Sequence, residues 1–267
     1  MRTVRTVPEV RDVLREPRRS GRRIGLVPTM GAFHDGHLAL MRAAREACDV
    51  VVVSLFVNPS QFNAADDLAR YPRDEAADAV RAEEVGVDLL FAPSADELYP
   101  DGFDTRVEPG ELAIVLEGAA RPGHFGAVAT VCTKLFSIVQ PHAAYFGRKD
   151  AQQVAVIRRV VADLNLPVDI VALATVRNVD GLALSSRNVF LSPAERAVAL
   201  TLPRALEAGA SAEGSGGDPA AAARSVLEAE RGLTIDYVTV ADFDGPTLCG
   251  AIRLGATRLI DNVLLSR

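Results

Sequence analysis

The amino-acid sequence predicts an α/β protein with a doubly wound parallel sheet, followed by a small α+β domain. Strand-type apolar segments alternate with segments of helical periodicity; the strands are predicted at residues 24–27, 50–57, 88–93, 143–146 and 169–176. The segment at residues 50–57 shows no polar alternation, as in a strand that is buried on both faces of a parallel sheet. Polar residues and glycines follow several strands, and ligands bind at that edge of such sheets.

The composition limits the possible functions. The 267 residues are 49% hydrophobic and 24% charged, as in soluble globular proteins, and the formal net charge is −6. This charge argues against general nucleic-acid binding, and so against a tRNA partner, because such binding needs a basic surface. No apolar run has the length of a membrane span, and the N-terminus lacks the layout of a secretory signal. Three isolated cysteines predict buried thiols in a reducing cytoplasm: Cys48, Cys132 and Cys249.

The N-terminal segment predicts a helix and then the first strand. Residues 8–16 begin with a proline, which suits the first helical position, and place their apolar side chains on one face. We interpret the arginine cluster that follows as a solvated turn in preference to an anion site; it contains Arg18, Arg19, Arg22 and Arg23. The first strand covers residues 24–27 and is expected to end at Pro28, and the next helix to reach about Cys48.

Two of the four histidines lie in the turn after this strand. His34 and His37 follow Gly31 and flank Gly36, and glycine lets the backbone approach a ligand closely. The N-terminus of the next helix offers unpaired N–H groups and a positive dipole end to a phosphate. Taken alone, the pair fits either solvated loop histidines or a nucleotide site in which both rings donate to ATP phosphates. A zinc site is disfavoured, since no cysteine or third histidine lies at a ligand-like spacing.

Further polar residues follow two later strands. The strand at residues 50–57 is followed by Asn58 and Gln61, although solvation in a loop is an equal alternative for Gln61 on this segment alone. Lys149 follows the strand at residues 143–146. The remaining segments of this half are helices at 73–84, 125–139 and 151–164 (the last with Gln152 and Gln153 in its first turn) and a turn-rich region at 99–125. Core packing does not require polar residues to gather after several strands, so their position indicates a ligand site at this edge of the sheet.

The character of the chain changes near Val176, where we place the domain boundary. Residues 180–188 form a polar loop with two serines in tandem. Ser192 with Glu195 has the form of a capping box and predicts a helix start. The remaining segments are the rest of this helix to about residue 208, a surface linker at 209–218, a helix at 219–230, and strands at 233–240 and 256–261.

The motifs together resemble a known family. The HDGH sequence at residues 34–37 is similar to the H-x-G-H element of the adenylyl-transferring superfamily, which has a Rossmann-like fold and includes the class I aminoacyl-tRNA synthetases. Three further motifs narrow the resemblance to the pantoate–β-alanine ligase family: VNPSQ at 57–61, GRKD at 147–150 together with Gln153, and SSRN at 185–188. The resemblance covers nearly the whole chain, with the motifs in the family's order.

This resemblance implies an ATP-dependent ligase. The carboxylate of pantoate attacks the α-phosphorus of ATP, which gives pantoyl adenylate and pyrophosphate; the amine of β-alanine then displaces AMP and forms pantothenate. A carboxylate is already a nucleophile at neutral pH, so the first step needs charge stabilisation and no general base. Mg²⁺ is expected to share that charge. A cytoplasmic homodimer that acts on small molecules, without a nucleic-acid or membrane partner, is also implied.

The resemblance assigns roles to individual residues. The implied catalytic donors are His37, which faces the leaving group, with His34, Lys149 and Arg187. The implied ATP-binding residues are Met30, Gly31, Ala32, Phe33, His34, Asp35, Gly36, His37, Gly147, Arg148, Lys149, Asp150, Val176, Leu184, Ser185, Ser186 and Arg187. Pantoate and β-alanine are assigned to Gln61, Gln153 and Asn58. Residues 1–176 would form the nucleotide- and pantoate-binding domain, and residues 177–267 the small C-terminal domain that closes over the site.

Two positions depart from the family pattern, and two other functions are alternatives. Arg148 stands where Glu is usual and Leu184 where Met is usual. We expect Arg148 to lean towards solvent, because adjacent residues at a helix start point apart. One alternative is a nucleotidyltransferase of the phosphopantetheine or nicotinate-mononucleotide type, which lacks the Asn-Pro-x-Gln and Lys-Asp-x-Gln-Gln segments. The other is a non-catalytic nucleotide-binding regulator, against which the retained histidines, lysine and arginine argue.

Overall fold

The protein consists of two compact units. The computed structural model describes residues 1–62, 68–69 and 71–266. The larger unit comprises Met1–Gly147 and Gln152–Leu173, and the smaller comprises Arg148–Ala151 and Ala174–Arg267. From Ala174 onwards the whole chain belongs to the smaller unit, two residues before the expected boundary at residue 176. Four residues around Lys149 also belong to the smaller unit, which a boundary drawn along the sequence does not anticipate.

A six-stranded parallel sheet forms the centre of the larger unit, in the order β1-β4-β3-β2-β5-β6. The strands are β1 (Arg2–Val4), β2 (Ile24–Thr29), β3 (Val50–Leu55), β4 (Leu89–Phe91), β5 (Ala143–Gly147) and β6 (Asp169–Leu173). The helices whose full extent lies in the described residues are α1 (Val7–Arg19), α2 (Asp35–Ala47), α3 (Glu75–Glu84), α4 (Ala95–Leu98), α5 (Glu117–Ala120), α6 (His124–Val139) and α7 (Ala151–Asp163). The doubly wound parallel sheet expected from the sequence is confirmed.

Strand β3 shows why this sheet is parallel and covered by helices on both faces. Val50 and Val52 pack into one apolar cluster, and Val51 and Val53 pack into another. Helices α1, α6 and α7 contribute to the first cluster, and α2 and α3 contribute to the second. Because successive side chains of a strand point to opposite faces, an unbroken valine run places apolar side chains in both clusters.

Strand β2 continues through Pro28 to Thr29, so the expectation that Pro28 ends it is wrong. The carbonyl oxygen of Thr29 accepts from the N–H of Phe56 at 3.0 Å, on the β3 side. The backbone of Pro28 therefore faces the β5 side, where the pairing of β2 already ends at Leu26. The missing N–H of the proline breaks no ladder bond at this position.

Helix α1 begins one residue before Pro8 and extends past Pro17 to Arg19. Thr6 and Glu9 form a capping box at its start. The arginine cluster that follows is largely exposed to solvent, as expected, and three of its members also donate to neighbouring segments: Arg18 to the carbonyl oxygen of Val139, Arg22 to that of Asp49, and Arg23 to the carboxylate of Asp169.

The smaller unit packs helices against a three-stranded antiparallel sheet. The strands are β7 (Thr234–Asp242), β8 (Pro246–Leu254) and β9 (Thr257–Leu264), paired in that order. The helices are α8 (Pro193–Ala199), α9 (Thr201–Glu213) and α10 (Pro219–Glu228). Leu206 of α9, Leu227 of α10 and Leu248 of β8 lie in one fully buried cluster. The predicted α+β character of this part is confirmed.

Two boundaries in the smaller unit differ from the sequence-based expectation. The helix that begins at Ser192 stops at Ala199, because Pro203 has no N–H to offer the carbonyl of Ala199 and a second helix starts instead. The expected linker at 209–218 is wrong at its start, since α9 continues to Glu213. Gly209 is a packing residue there: a Cβ atom would lie 2.6 Å from the carbonyl oxygen of Pro219.

The central strand β8 was not predicted. Its sequence contains Pro246 and Gly250, which weaken a strand pattern. Gly250 is required by the close approach of α9, because a Cβ atom would lie 2.9 Å from Cδ1 of Leu202.

The three cysteines are buried and free, as expected. Burial raises the pKa of the Cys132 thiol to about 12. None of the helices in the described part of the chain is long and apolar enough to span a membrane.

Candidate active site

The histidine turn forms the start of helix α2, and both imidazole rings accept backbone hydrogen bonds there. His34 is the N-cap residue, and its Nδ1 atom accepts from the backbone N–H of Gly36 at 3.2 Å. His37 lies in the first turn, and its Nδ1 atom accepts from the backbone N–H of His34 at 3.3 Å. An acceptor Nδ1 leaves the proton of a neutral imidazole on Nε2. The ring centroids are 4.1 Å apart, so the turn presents two Nε2–H donors of the same tautomer side by side.

Two side chains of helix α3 fix the backbone that leads into this turn. Asp78 accepts from the N–H groups of Ala32 at 2.8 Å and Phe33 at 2.7 Å. Arg81 donates to the carbonyl oxygen of Phe33 at 2.5 Å. Ala32 has a φ of 54°, a left-handed conformation that needs such support in a residue with a Cβ atom. The segment therefore approaches the histidines in a conformation that α3 imposes.

Asp78 was missed by the sequence reasoning, although one signal was present. Asp78 and Ala82 are the buried residues of α3, four positions apart on its inner face. A carboxylate on the inner face of an amphipathic helix must find hydrogen-bond donors. The pattern of α3 could therefore have indicated a bound backbone segment, but it could not have indicated which one.

The second element of the site is the 3₁₀ turn Pro59–Gln61, which follows strand β3. Asn58 caps this turn: its Oδ1 atom accepts from the N–H of Ser60 at 3.3 Å and from the Ser60 hydroxyl at 2.7 Å. The Nδ2 atom of Asn58 donates to the carbonyl oxygen of Ala127 at 3.4 Å. Asn58 is 1% exposed and Gln61 is 8% exposed. The structure thus gives Asn58 a role in shaping the turn that presents Gln61.

Arg121 and His124 bind the backbone carbonyl of Gln61 in this turn. Nη2 of Arg121 donates to the carbonyl oxygen of Gln61 at 3.1 Å, and Nδ1 of His124 lies 3.2 Å from the same oxygen. Nη1 of Arg121 lies 3.1 Å from Nε2 of His124. A guanidinium can only donate, so Nε2 of His124 accepts and its Nδ1–H donates to Gln61. Both residues lie in the region that was expected only to be rich in turns, and no role was predicted for them.

The two glutamines at the start of α7 differ in their surroundings. Gln152 is buried, and its side chain donates to the carbonyl oxygens of Leu112 and Val115, both at 2.8 Å, and accepts from the N–H of Glu117 at 3.0 Å. Gln152 therefore anchors the segment before α5. Gln153, the residue expected to bind pantoate, is half-buried.

Lys149 lies in the 3₁₀ turn Arg148–Asp150, which belongs to the smaller unit. Its Nζ atom lies 3.7 Å from a carboxylate oxygen of Asp150. The guanidinium of Arg148 donates to the carbonyl oxygen of Phe243 at 3.1 Å and to the hydroxyl of Thr247 at 3.3 Å. It also lies 3.9 Å from Asp244. The expectation that Arg148 leans towards solvent is wrong, because the turn between β7 and β8 offers it these oxygen atoms.

The serine–arginine loop lies next to Lys149 within the smaller unit. Ser185 caps the 3₁₀ turn Ser186–Phe190 by accepting from the N–H of Arg187 at 3.3 Å. The N–H of Leu184 donates to the carbonyl oxygen of Val176 at 3.0 Å, which brings these two residues of the expected ATP site together. A small cleft that is open to solvent is lined by Lys149, Leu182, Ala183, Ser185, Arg187, Asn188, Leu202, Arg258, Leu259, Ile260 and Asp261.

The chemistry of this cleft favours an anion. It contains three cationic side chains, of which Arg258 already pairs with Asp236 at 2.6 Å, and its one carboxylate, Asp261, binds Arg177 through both oxygen atoms. The described residues contain no group of three or more His, Cys, Asp and Glu side chains that could hold a metal ion. A phosphate group fits these donors, and the cleft joins Lys149, Ser185 and Arg187 of the sequence-based prediction.

Comparison with known proteins gives a consistent result. The family model described as pantoate-beta-alanine ligase matches residues 2–264. Pantothenate synthetase from Heliobacterium modesticaldum is 54% identical over 99% of each chain, and pantothenate synthetase 1 from Bradyrhizobium diazoefficiens is 52% identical over 100% of this chain and 99% of its own. The crystal structure of pantothenate synthetase from Thermus thermophilus superimposes with a TM-score of 0.92 at 48% identity, covering 98% of this chain and 99% of that one.

A further solved structure contains ligands. The pantoate-beta-alanine ligase of Francisella tularensis, described as complexed with beta-gamma ATP and beta-alanine, is 36% identical, with a TM-score of 0.85 over 99% of this chain and 97% of that one.

Proposed function

The chain belongs to the pantoate–β-alanine ligase family, and on that premise we propose that it condenses pantoate with β-alanine through a pantoyl-adenylate intermediate, with release of pyrophosphate and then AMP. The observation that carries the mechanism is the histidine turn, in which two rings with acceptor Nδ1 atoms stand at a helix N-terminus. Donors of this kind bind phosphate oxygens. The family assignment leaves no support for the nucleotidyltransferase alternative.

In the first step a carboxylate oxygen of pantoate attacks the α-phosphorus of ATP. The bond to the bridging oxygen of pyrophosphate breaks, and negative charge builds up on the leaving group. The Nε2–H of His37 donates to that charge, and His34 donates to a neighbouring phosphate oxygen. Lys149 and Arg187 act on the phosphates as cations, and Arg187 can bind two oxygens at once. No side chain has to remove a proton, because the nucleophile is already ionised.

In the second step the amine of β-alanine attacks the acyl carbon of the adenylate. The bond from that carbon to the phosphate oxygen breaks, AMP leaves with the bonding electrons, and the newly attached nitrogen releases its surplus proton to solvent as the amide forms. Gln61 and Gln153 are the proposed partners of pantoate, because an amide side chain both donates to and accepts from hydroxyl and carboxylate groups. Asn58 supports Gln61 by capping its turn at 3.3 Å and 2.7 Å.

Mg²⁺ belongs to the proposal as a companion of ATP. Proteins often hold Mg²⁺ through substrate phosphates and only one or two carboxylates. The described residues form no acidic cluster that would hold the ion alone, which is consistent with binding through the phosphates. When bound, the ion supplies charge neutralisation on the phosphate oxygens. The remaining ATP contacts, those of residues 30–33, 35–36, 147–148, 150, 176 and 184–186, stay predictions from the family pattern.

The mechanism is tested by exchange of labelled pyrophosphate into ATP with pantoate present and β-alanine absent. An adenylate intermediate makes the first step reversible on its own, so we expect exchange that depends on pantoate. Exchange that strictly requires β-alanine would contradict a separate first step. In complete reactions AMP and pyrophosphate should accumulate with product, and ADP would instead indicate an acyl phosphate.

We also propose a cytoplasmic homodimer, in line with the resemblance noted above. The three buried free cysteines agree with a reducing compartment. Light scattering at micromolar concentration tests the assembly, and a monomer would refute it.

A further inference from the structure

Asn262 of strand β9 binds the backbone of the turn that carries Lys149. Its Nδ2 atom donates to the carbonyl oxygen of Arg148 at 3.0 Å and to the carbonyl oxygen of Lys149 at 2.8 Å. Lys149 and Asn262 are 113 positions apart in the chain. Asn262 is only 7% exposed, so these bonds lie away from water.

The two accepting carbonyls flank a single residue. The carbonyl of Arg148 belongs to the peptide group before the Cα atom of Lys149, and the carbonyl of Lys149 belongs to the peptide group after it. Because each peptide group is planar, fixing both groups fixes the direction of the Cα–Cβ bond between them. A primary amide has two N–H donors on one nitrogen and can serve two successive carbonyls, whereas a carboxylate of the same shape cannot donate.

Asn262 is itself held in place by its neighbour. Its backbone N–H donates to Oδ1 of Asp261 at 2.8 Å. Asp261 is buried and forms a two-pronged ion pair with Arg177, at 2.5 Å and 3.0 Å. Nη1 of Arg177 also donates to the carbonyl oxygen of Gly181 at 3.1 Å. The Asp261–Asn262 pair therefore connects the Lys149 turn with the start of the loop that carries the tandem serines.

The hydrogen bonds of Asn262 affect the cleft of the smaller unit, because Lys149 lines that cleft. Lys149 lines the cleft with Ser185 and Arg187, whereas Asn262 is not among the described residues that line it. Asn262 therefore acts on the cleft through the backbone of Lys149.

We propose that Asn262 is a positioning residue for Lys149. It holds the two peptide groups around Lys149 so that the ammonium group meets the ATP phosphates in the orientation that the first step needs. This inference rests on the proposed role of Lys149. A displacement of about 1 Å at a reacting centre can lower a rate by about 10²-fold, and two lost hydrogen bonds permit a displacement of that order.

The test is a double-mutant cycle on pantoate-dependent pyrophosphate exchange. Asn262→Ala and Asn262→Asp should each lower kcat of the exchange by about 10- to 100-fold, with the KM for pantoate changed less than about twofold. Residues that act through one another give non-additive effects. In a Lys149→Ala background, Asn262→Ala should therefore lower kcat by no more than about twofold further. Full additivity, or a wild-type kcat in Asn262→Ala, would overturn the proposal.

Leu227→Ala supplies the matched structural control. Leu227 is a buried apolar residue of the same unit, and its truncation should lower the midpoint of urea unfolding. If kcat of Leu227→Ala stays within about twofold of wild type at a temperature where both are folded, loss of kcat in the Asn262 variants is specific. An equal loss in Leu227→Ala would overturn the proposal. If Lys149→Ala itself keeps the wild-type rate, the role of Lys149 fails first, which separates the two inferences.

Discussion

The turn that carries the histidines and the turn that carries Lys149 follow strands of one sheet, β2 and β5, but they are held in opposite ways. The histidine turn is built largely from itself: His34 and His37 cap α2, and the nearby helix α3 supplies Asp78 and Arg81. The Lys149 turn is held by Arg148, whose guanidinium binds the β7–β8 turn, and by Asn262 on β9. One donor group therefore depends on local structure and the other on the C-terminal strands.

His37→Ala should have the largest effect on the locally built turn. A donor aimed at charge that develops in the transition state is worth about 10²–10³ in kcat, and we expect a loss of that size in pyrophosphate exchange. His142→Ala is the matched control, since Nδ1 of His142 also accepts a backbone N–H, that of Ile24, at 3.0 Å. It should keep the wild-type rate. If His37→Ala retains more than half of that rate, the ring is only a helix cap.

Asp78→Asn should show how far the histidine turn depends on helix α3. The amide keeps one acceptor oxygen and turns an NH₂ group towards the second backbone N–H, so one buried donor loses its partner. We expect destabilisation by about 1–3 kcal/mol and a fall in kcat of roughly tenfold as the turn shifts. Urea unfolding and pyrophosphate exchange measure the two effects.

Asp74→Asn is the control for this variant. Asp74 is the N-cap of the same helix, and asparagine caps a helix about as well as aspartate. Both quantities should stay near wild type. An Asp78→Asn enzyme with unchanged kcat would mean that the histidines keep their places without α3.

Arg148→Glu should disturb the Lys149 turn through stability more than through ATP. The new carboxylate would face the carbonyl oxygen of Phe243 and the carboxylate of Asp244, in place of the hydrogen bonds of the guanidinium. We expect a loss of about 1–3 kcal/mol in the free energy of unfolding, measured in urea. The exposed Arg159→Glu variant serves as a control and should change stability by less than about 1 kcal/mol. A raised KM for ATP at unchanged stability would show instead that Arg148 faces the nucleotide.

The smallest expected effect concerns acid and the smaller sheet. Burial raises the pKa of Asp236, but hydrogen bonds from Arg258 and Arg253 outweigh it, and the pKa lies below its ordinary value of 3.8. These ion pairs therefore contribute stability above about pH 4 that is lost as the pH falls through the lowered pKa. Since both partners are partly exposed to solvent, we expect less than about 1 kcal/mol. The difference in unfolding free energy between wild type and Asp236→Asn should shrink between pH 5 and about pH 2. A difference that is constant over this range would contradict the assignment.

The same comparison explains what could be predicted from the sequence. The valine run of β3 and the glycine-flanked histidines carry their information within a few residues, so the sheet and the histidine turn could be anticipated. Asp78 lies 45 positions from Phe33 and Asn262 lies 113 positions from Lys149. No local periodicity records such contacts. The prediction of strand β8 failed for a related reason. Gly250 weakens the strand pattern but is needed for packing against α9, and the local sequence does not reveal that contact.

The buried thiols have a practical consequence for labelling experiments. The native cysteines are buried, and the thiolate of Cys132 forms only near pH 12. Since alkylating reagents react with an accessible thiolate, a cysteine placed at the exposed Val189, beside the serine–arginine loop, would react far faster at pH 8 than these three. A fluorophore could then be attached at one chosen position in the otherwise unaltered protein. Its emission would report on that loop when ATP or pantoate is added.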